Sequence, residues 1–373
     1  MFIEKQWCVL SAAATLVVGL STAMAGCRDV PPDNGTGGNG SGGDGLTTTS
    51  SSSSSTSGNT GGAGGAGGGG GAGGSAPACD GSVVTIEQIT NPKAAGFVNT
   101  GSPVQVKGAV AMSQKFLVSK GSQSGTCLFG VFVSAPDLAE TKEYSGIMVV
   151  SKGSDAVVDP MTMKSYCGKI SNRAANDPPT GDSIPDDIKP GDVVDVIGVA
   201  DYFLLKSQCV KPTDSKVSQR QIAYACKVEK TGTATPPTPH AFTTPEDVAK
   251  LASPTDTAFH DMWGGVKVRV GIESTPIPQP DPGGGPGMVV VNNFGEITLA
   301  TSNLRVADKL YYRGYDKQTC YTGPMFSDTA VKWKSIDGFN YLNYCTWDIE
   351  PSNKCADFDP ASEDCSGITC PPP

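Results

Sequence analysis

Beyond residue 79, apolar and β-branched residues alternate with polar ones in short, separated stretches. Val83 to Ile89, Val104 to Met112, Leu128 to Val133, Gly146 to Val150, Val193 to Tyr202 and Ile222 to Val228 each have the length and composition of a strand. Asn91-Pro92, Asp159-Pro160 and Lys189-Pro190-Gly191-Asp192 stand between them as turn signals. Strands of this size and spacing predict a small sandwich or barrel. A Pro/Thr hinge follows from Thr231 to Pro239. Thr244-Pro245-Glu246-Asp247-Val248 then offers an N-cap threonine, proline at the first helical position and acids in the first turn, which predicts a short helix reaching Leu251. A second set of strands is expected at Val266 to Ile272, Met288 to Val291, Glu296 to Thr301 and Gly338 to Ile349, with a Pro/Gly-rich surface loop from Thr275 to Gly287. The chain is therefore expected to be mainly β, with one β-domain over residues 79–235 and a second, Cys-rich one over 236–373.

The pattern before residue 79 is of another kind. Cys8 to Leu20 is an apolar stretch too short to span a bilayer, preceded by Lys5 and Glu4 and followed by small residues. Ala23-Met24-Ala25 fits an ordinary signal-peptidase site, whereas Met24-Ala25-Gly26-Cys27 resembles the lipobox of bacterial lipoproteins. On that resemblance residues 1–26 are a signal peptide and Cys27 becomes the acylated first residue of a protein held at the outer membrane or cell surface. Arg28, in place of an aspartate, implies the outer membrane by the same resemblance. Residues 27–78 are dominated by Gly, Ser and Thr, and Leu46 is the only large aliphatic residue from Pro31 to Ala78. Such a segment cannot offset ordering entropy by burial and is expected to act as a disordered tether with a mean reach of roughly 35–40 Å. Gly67 to Gly71 lacks the Lys-Ser/Thr that would make it a phosphate loop.

Setting aside Cys8 and Cys27, ten cysteines remain: Cys79, Cys127, Cys167, Cys209, Cys226, Cys320, Cys345, Cys355, Cys365 and Cys370. An even count in an exported chain predicts disulfides. Local pairing suggests Cys127–Cys167, Cys209–Cys226 and a C-terminal knot among Cys345, Cys355, Cys365 and Cys370. Each half holds five cysteines, so full pairing requires at least one bridge between the halves. No C-x₂-C occurs and the chain has two histidines, so no metal site is expected. The net charge of −9, with no basic run, has the wrong sign for general nucleic-acid binding.

Gly191-Asp192-Val193-Val194-Asp195-Val196-Ile197-Gly198-Val199-Ala200-Asp201-Tyr202-Phe203 resembles a strand of the OB-fold domains attached to secreted bacterial nucleases. Val104 to Val110 is similar to the first strand of such a domain, Cys127 to Val133 to its second and Ser145 to Val149 to its third. The likeness covers residues 83–235 and implies an OB-like small barrel. A fainter likeness runs through Gly265 to Val270, Met288 to Val291 and Ile297 to Leu299. Ile336 to Tyr341 is similar to Ile197 to Phe203, which implies a degenerate second copy. The whole layout resembles lipoproteins of predatory soil bacteria such as myxobacteria.

Candidate chemistry is sparse. His240 and His260 lie in no metalloprotease spacing and are expected at the surface. Gly121-Ser122-Gln123-Ser124-Gly125 fails the serine-hydrolase elbow because Gln occupies its centre. Asp177, Asp182, Asp186, Asp187 and Asp192, like Asp357, Asp359, Glu363 and Asp364, are expected to be solvated loop acids, since neither group follows a calcium-loop pattern. Aromatics crowd positions 311–347; core packing is the default, and Tyr341, Tyr344 and Trp347 are the candidates for a ligand-stacking surface. The expected function is a non-catalytic, lipid-anchored envelope binding or structural module with a saccharide or envelope protein as ligand and no cofactor. The alternative is an accessory OB-fold subunit of a secreted nuclease or other hydrolase.

Overall fold

The computed structural model describes residues 79–120, 126–155, 157–158, 165–167, 180–204, 218–253, 256–275, 296–300, 302–307, 310, 332–343, 346–353 and 356–359. Residues 1–78, the 288–291 strand and Cys209, Cys320, Cys345, Cys355, Cys365 and Cys370 lie outside them. The protein is mainly β. In chain order it forms β1 (Ser82–Val83), α1 (Ile86–Thr90), β2 (Pro103–Ala111), β3 (Phe116–Lys120), β4 (Thr126–Ser134), β5 (Gly146–Asp155), β6 (Val157–Val158), β7 (Ser165–Tyr166), β8 (Asp192–Leu204) and β9 (Ser218–Thr233). Then follow β10 (His240–Phe242), α2 (Pro245–Ala252), α3 (Thr257–Trp263), β11 (Lys267–Val270), β12 (Ile297–Thr298), β13 (Arg305–Val306), β14 (Ser335–Asn343), β15 (Thr346–Glu350) and β16 (Phe358–Asp359). Apart from a small β6–β7 ribbon, the strands form two seven-stranded sheets.

The two sheets repeat one plan. The first runs β1-β2-β8-β9-β5-β4, paired parallel, antiparallel, antiparallel, parallel and antiparallel, with β3 added beyond β4. The second runs β10-β11-β14-β15-β13-β12 with the same succession of orientations, and β16 is added on β14. The chain visits equivalent positions in the same order in both. Even the register matches: Val104 on β2 faces Ser82 and Gly198, and Val268 on β11 faces His240 and Gly338. A Cβ at Gly198 would fall 2.6 Å from Ile222 Cγ2, and one at Gly338 would collide in the same way with Ile349 of the equivalent strand. In the first sheet β2 also pairs with β4, so the path β2-β8-β9-β5-β4 returns to its start.

Each sheet opens on a threonine-capped helix. Thr244 caps α2 as expected, its hydroxyl accepting from Asp247 N–H, with Pro245 in the first turn. Val83 to Ile89 does not continue as one strand. Thr85 accepts from Gln88 N–H while the Gln88 side chain returns to Thr85 N–H, a capping box that turns the chain into α1 and buries Ile86 and Ile89. Gly338 to Ile349 is likewise two strands, β14 and β15, paired as a hairpin. Phe116–Lys120 and Thr257–Trp263 form a strand and a helix that alternation alone did not reveal.

Cys127 bonds Cys167, as local spacing suggested. Cys226 bonds Cys79 and not Cys209, because the β8–β9 hairpin carries Cys226 to where the chain enters the first sheet. With four of the first five cysteines so used, full pairing would take Cys209 to a partner in the second half.

Odd-numbered residues of β4 and β5, among them Phe129, Val131, Ile147 and Val149, fill the first core, and Val248, Trp263, Val268 and Ile349 belong to the second. The even-numbered residues Phe132, Met148 and Val150 point the other way and meet Phe339 and Tyr341 of β14 in a third apolar cluster. The two sheets are thus joined face to face. Phe132 stacks on Phe339 at 4.2 Å between ring centroids and meets Tyr341 edge-on at 5.8 Å. Backbones approach closely beside this stack, where a Cβ on Gly146 would lie 2.6 Å from Gly265 O. Met262 O accepts from Tyr144 N–H at 2.7 Å, Lys267 O from the Thr141 hydroxyl at 2.7 Å and Gln219 Oε1 from Leu342 N–H at 2.9 Å.

Candidate functional site

The expected stacking surface is not exposed at two of its three positions. Tyr341 is fully buried against Phe132, and Trp347 is buried parallel to the His260 ring at 4.0 Å. Both are structural because β14 and β15 are covered on both faces. Tyr344 lies outside the described residues.

His260 is a second correction. Asp256 caps α3 and turns His260 inward, beneath Trp347, where it is 3 % exposed. Its Nε2–H donates to Ser253 O at 2.6 Å, and its Nδ1 accepts from the Asn340 amide at 3.1 Å. That pattern fits the neutral ring, and burial holds its pKa down at about 4 against an ordinary 6.5. A histidine depressed in the folded state contributes stability that is present above its unfolded pKa and lost as pH falls through the folded one. Unfolding midpoints are therefore expected to fall between pH 6.5 and 4, by up to about 3 kcal/mol of stability. Denaturant titrations at the two ends, with His260→Phe losing most of the pH dependence, check this.

Three of the six described loop acids are not solvated. Asp182 is sequestered beside Lys115, Asp192 is buried beside Lys230 and Asp357 is buried against Lys267. Asp186, Asp187 and Asp359 stay exposed, as expected, and the Asp187 pKa is lowered by its hydrogen bond to Lys230. Asp177, Glu363 and Asp364 lie outside the described residues. Among the described residues no group of three or more His, Cys, Asp or Glu is arranged to hold a metal ion, and no helix is long and apolar enough to cross a membrane.

The group with chemistry left unused is Arg220. It opens β9 directly across from Tyr202 of β8, on the face that carries Ala200 and Ile222 into the first core. Its guanidinium carbon sits 3.8 Å from the Tyr202 ring centroid and 4.8 Å from that of Phe97. The residue is 7 % exposed, and its Nε and Nη1 have no hydrogen-bond partner. Desolvation pulls its pKa down, with Tyr202, Asp261 and Asp201 opposing. Asp261 of α3 is shifted upward by burial, against the pull of Arg220, and makes no ion pair with it within 4.0 Å. Tyr144 borders the same corner in the left-handed backbone region, at φ 60°, pinned by Thr90 and Met262. A guanidinium held between two aromatic rings has the charge and donor geometry that suit a carboxylate or similar oxyanion. Sequence reading passed over Arg220 because an isolated arginine in a strand carries no motif. Its place on the inward-facing side of an apolar strand was the available signal.

No family, curated protein or solved structure matches this chain.

Proposed function

We propose that the protein is a non-catalytic, lipid-anchored module of the cell envelope, built from two copies of one OB-like plan fused face to face. The observation that carries the duplicated plan is the shared strand order, orientation and register of the two sheets, while the anchoring rests on the lipobox-like run ending at Cys27. Support for the OB-like description comes from the five-strand path closing through β2 and from its parallel β5–β9 pair. OB-like barrels commonly present the outer face of their second and third strands to ligands. Here those strands correspond to β4 and β5, whose outer residues Phe132 and Met148 lie under β14. That face serves assembly, so recognition moves to the corner held by Arg220, Tyr202 and Phe97. The ligand class that suits it is an envelope saccharide or protein presenting a carboxylate. Lipidation of Cys27 and the 27–78 tether would set this corner off the membrane.

The test is capture from envelope fractions with the 79–373 chain and its Arg220→Met variant. The expected result is an acidic envelope component held by the first and lost several-fold by the second. Equal capture by both would remove Arg220 from the account. Capture of a nuclease or other hydrolase would put the accessory-subunit reading ahead.

A further inference from the structure

A buried lysine stands against a buried aspartate in the first sheet. Lys115 lies in the turn between β2 and β3, and its ammonium group enters the core beside the Phe129 ring, 4.8 Å from the centroid. The side chains of Lys115 and Asp182 are both completely inaccessible to solvent. Nζ donates to Thr180 Oγ1 at 2.9 Å, Ile184 O at 2.9 Å and Asp186 Oδ1 at 2.7 Å, which accounts for every donor an ammonium group has. Asp182 Oδ2 is nevertheless closer still, at 2.6 Å from Nζ, and accepts no hydrogen bond. The lysine nitrogen therefore rests against this carboxyl group without pointing a proton at it. The other oxygen, Oδ1, accepts from Ile184 N–H at 2.8 Å, so the carboxyl is fixed in place.

We propose that Lys115 and Asp182 condense to an intramolecular isopeptide bond, with Asp186 as the proton relay. Three requirements of such a step meet here: a nucleophile in contact with its electrophile, a donor for the developing oxyanion and an acid–base group touching the nitrogen. Asp186 takes a proton from Nζ, and the freed lone pair attacks Cγ of Asp182. Charge that gathers on Oδ1 is met by Ile184 N–H. Asp186 returns its proton to Oδ2, a second proton follows from the nitrogen, and the Cγ–Oδ2 bond breaks to release water. Of the three ammonium protons, one stays on the amide nitrogen and two leave with Oδ2. Nothing is oxidised or reduced, and the ion pair becomes a neutral amide. Water is excluded from the pocket, which favours condensation over the reverse reaction. The bond would fasten the β2–β3 turn to the segment leading into β8, independently of the Cys79–Cys226 and Cys127–Cys167 disulfides.

The test is peptide mapping of the purified full chain after reduction and alkylation. The expected product is a branched peptide joining the Lys115 and Asp182 segments, lighter than their sum by one water, with trypsin failing to cut after Lys115. Asp186→Asn, checked by circular dichroism to be folded, is expected to yield the two segments as separate peptides. Recovery of a wild-type Lys115 peptide with a free amine, or a branch at any other residue, would overturn the bond. A branched product in Asp186→Asn would overturn the relay.

Discussion

Truncating Phe132 to alanine is expected to destabilise the second half of the molecule although the residue belongs to the first. Phe132 is fully buried between Phe116, at 5.5 Å, and Phe339, at 4.2 Å between ring centroids. Removing a ring from such a site costs about 3–5 kcal/mol through lost transfer free energy and the cavity left behind. From residue 79 onward the tryptophans are Trp263, Trp333 and Trp347, all in the second half. Their fluorescence therefore reports on the second sheet alone. If the sheets unfold as one unit, the tryptophan transition of Phe132→Ala shifts by the full loss. A tryptophan midpoint equal to wild type would mean that the halves unfold separately.

An effect of similar size is expected from Arg305→Leu. Arg305 of β13 grips Asp348 of β15 with two bonds, at 2.5 and 2.8 Å, and its third nitrogen pairs with Glu296 at 3.1 Å. Both carboxylates are almost completely buried. Burial pushes the Asp348 pKa up to about 7; Arg305 opposes that shift and Glu296 adds to it. Without the guanidinium two acids would remain in one dry site, and breaking a buried pair in this way costs about 3–5 kcal/mol. The loss should depend on pH. An aspartate raised in the folded state contributes stability that is complete below its unfolded pKa and lost as pH rises through the folded one. Removing Arg305 raises that value further, so the variant should be closest to wild type near pH 5 and worst above pH 7. Denaturant titrations across that range decide it. A loss independent of pH would assign the effect to packing alone. The double variant Arg305→Leu/Asp348→Leu should recover part of the loss, because apolar partners replace the stranded charge.

The strands of the first sheet were legible because their apolar stretches are long and bounded by turn residues. The run from Leu128 to Val133 is apolar on both faces, which already signalled burial on both sides. It could not signal that the cover for Phe132 comes from Phe339, because that partner lies far along the chain and carries no local mark. The same distance hid the fate of Tyr341, which has the composition of a ligand platform and the position of a seam residue. The two-residue β13 offers no period to detect and was not expected, whereas β12 falls within the stretch expected at Glu296 to Thr301. Loop acids misled for a related reason. Asp182 and Asp192 sit in a polar, Pro-rich stretch, but their partners Lys115 and Lys230 stand on other segments and draw them inward. For His260 a local signal did exist: Phe259 and Trp263 are spaced one helical turn apart behind the Asp256 cap, which places their neighbour on a covered face.

The repeated plan organises the folded region, and the proposal that this region is displayed at a membrane surface rests on one side chain, Cys27. Fractionation of cells expressing wild type and Cys27→Ala tests that claim most directly. The wild-type chain should partition with membranes and the variant should appear in the soluble fraction, folded and with the Cys79–Cys226 bridge intact. A Cys27→Ala chain that still sedimented with membranes, or a soluble wild-type chain, would contradict the account.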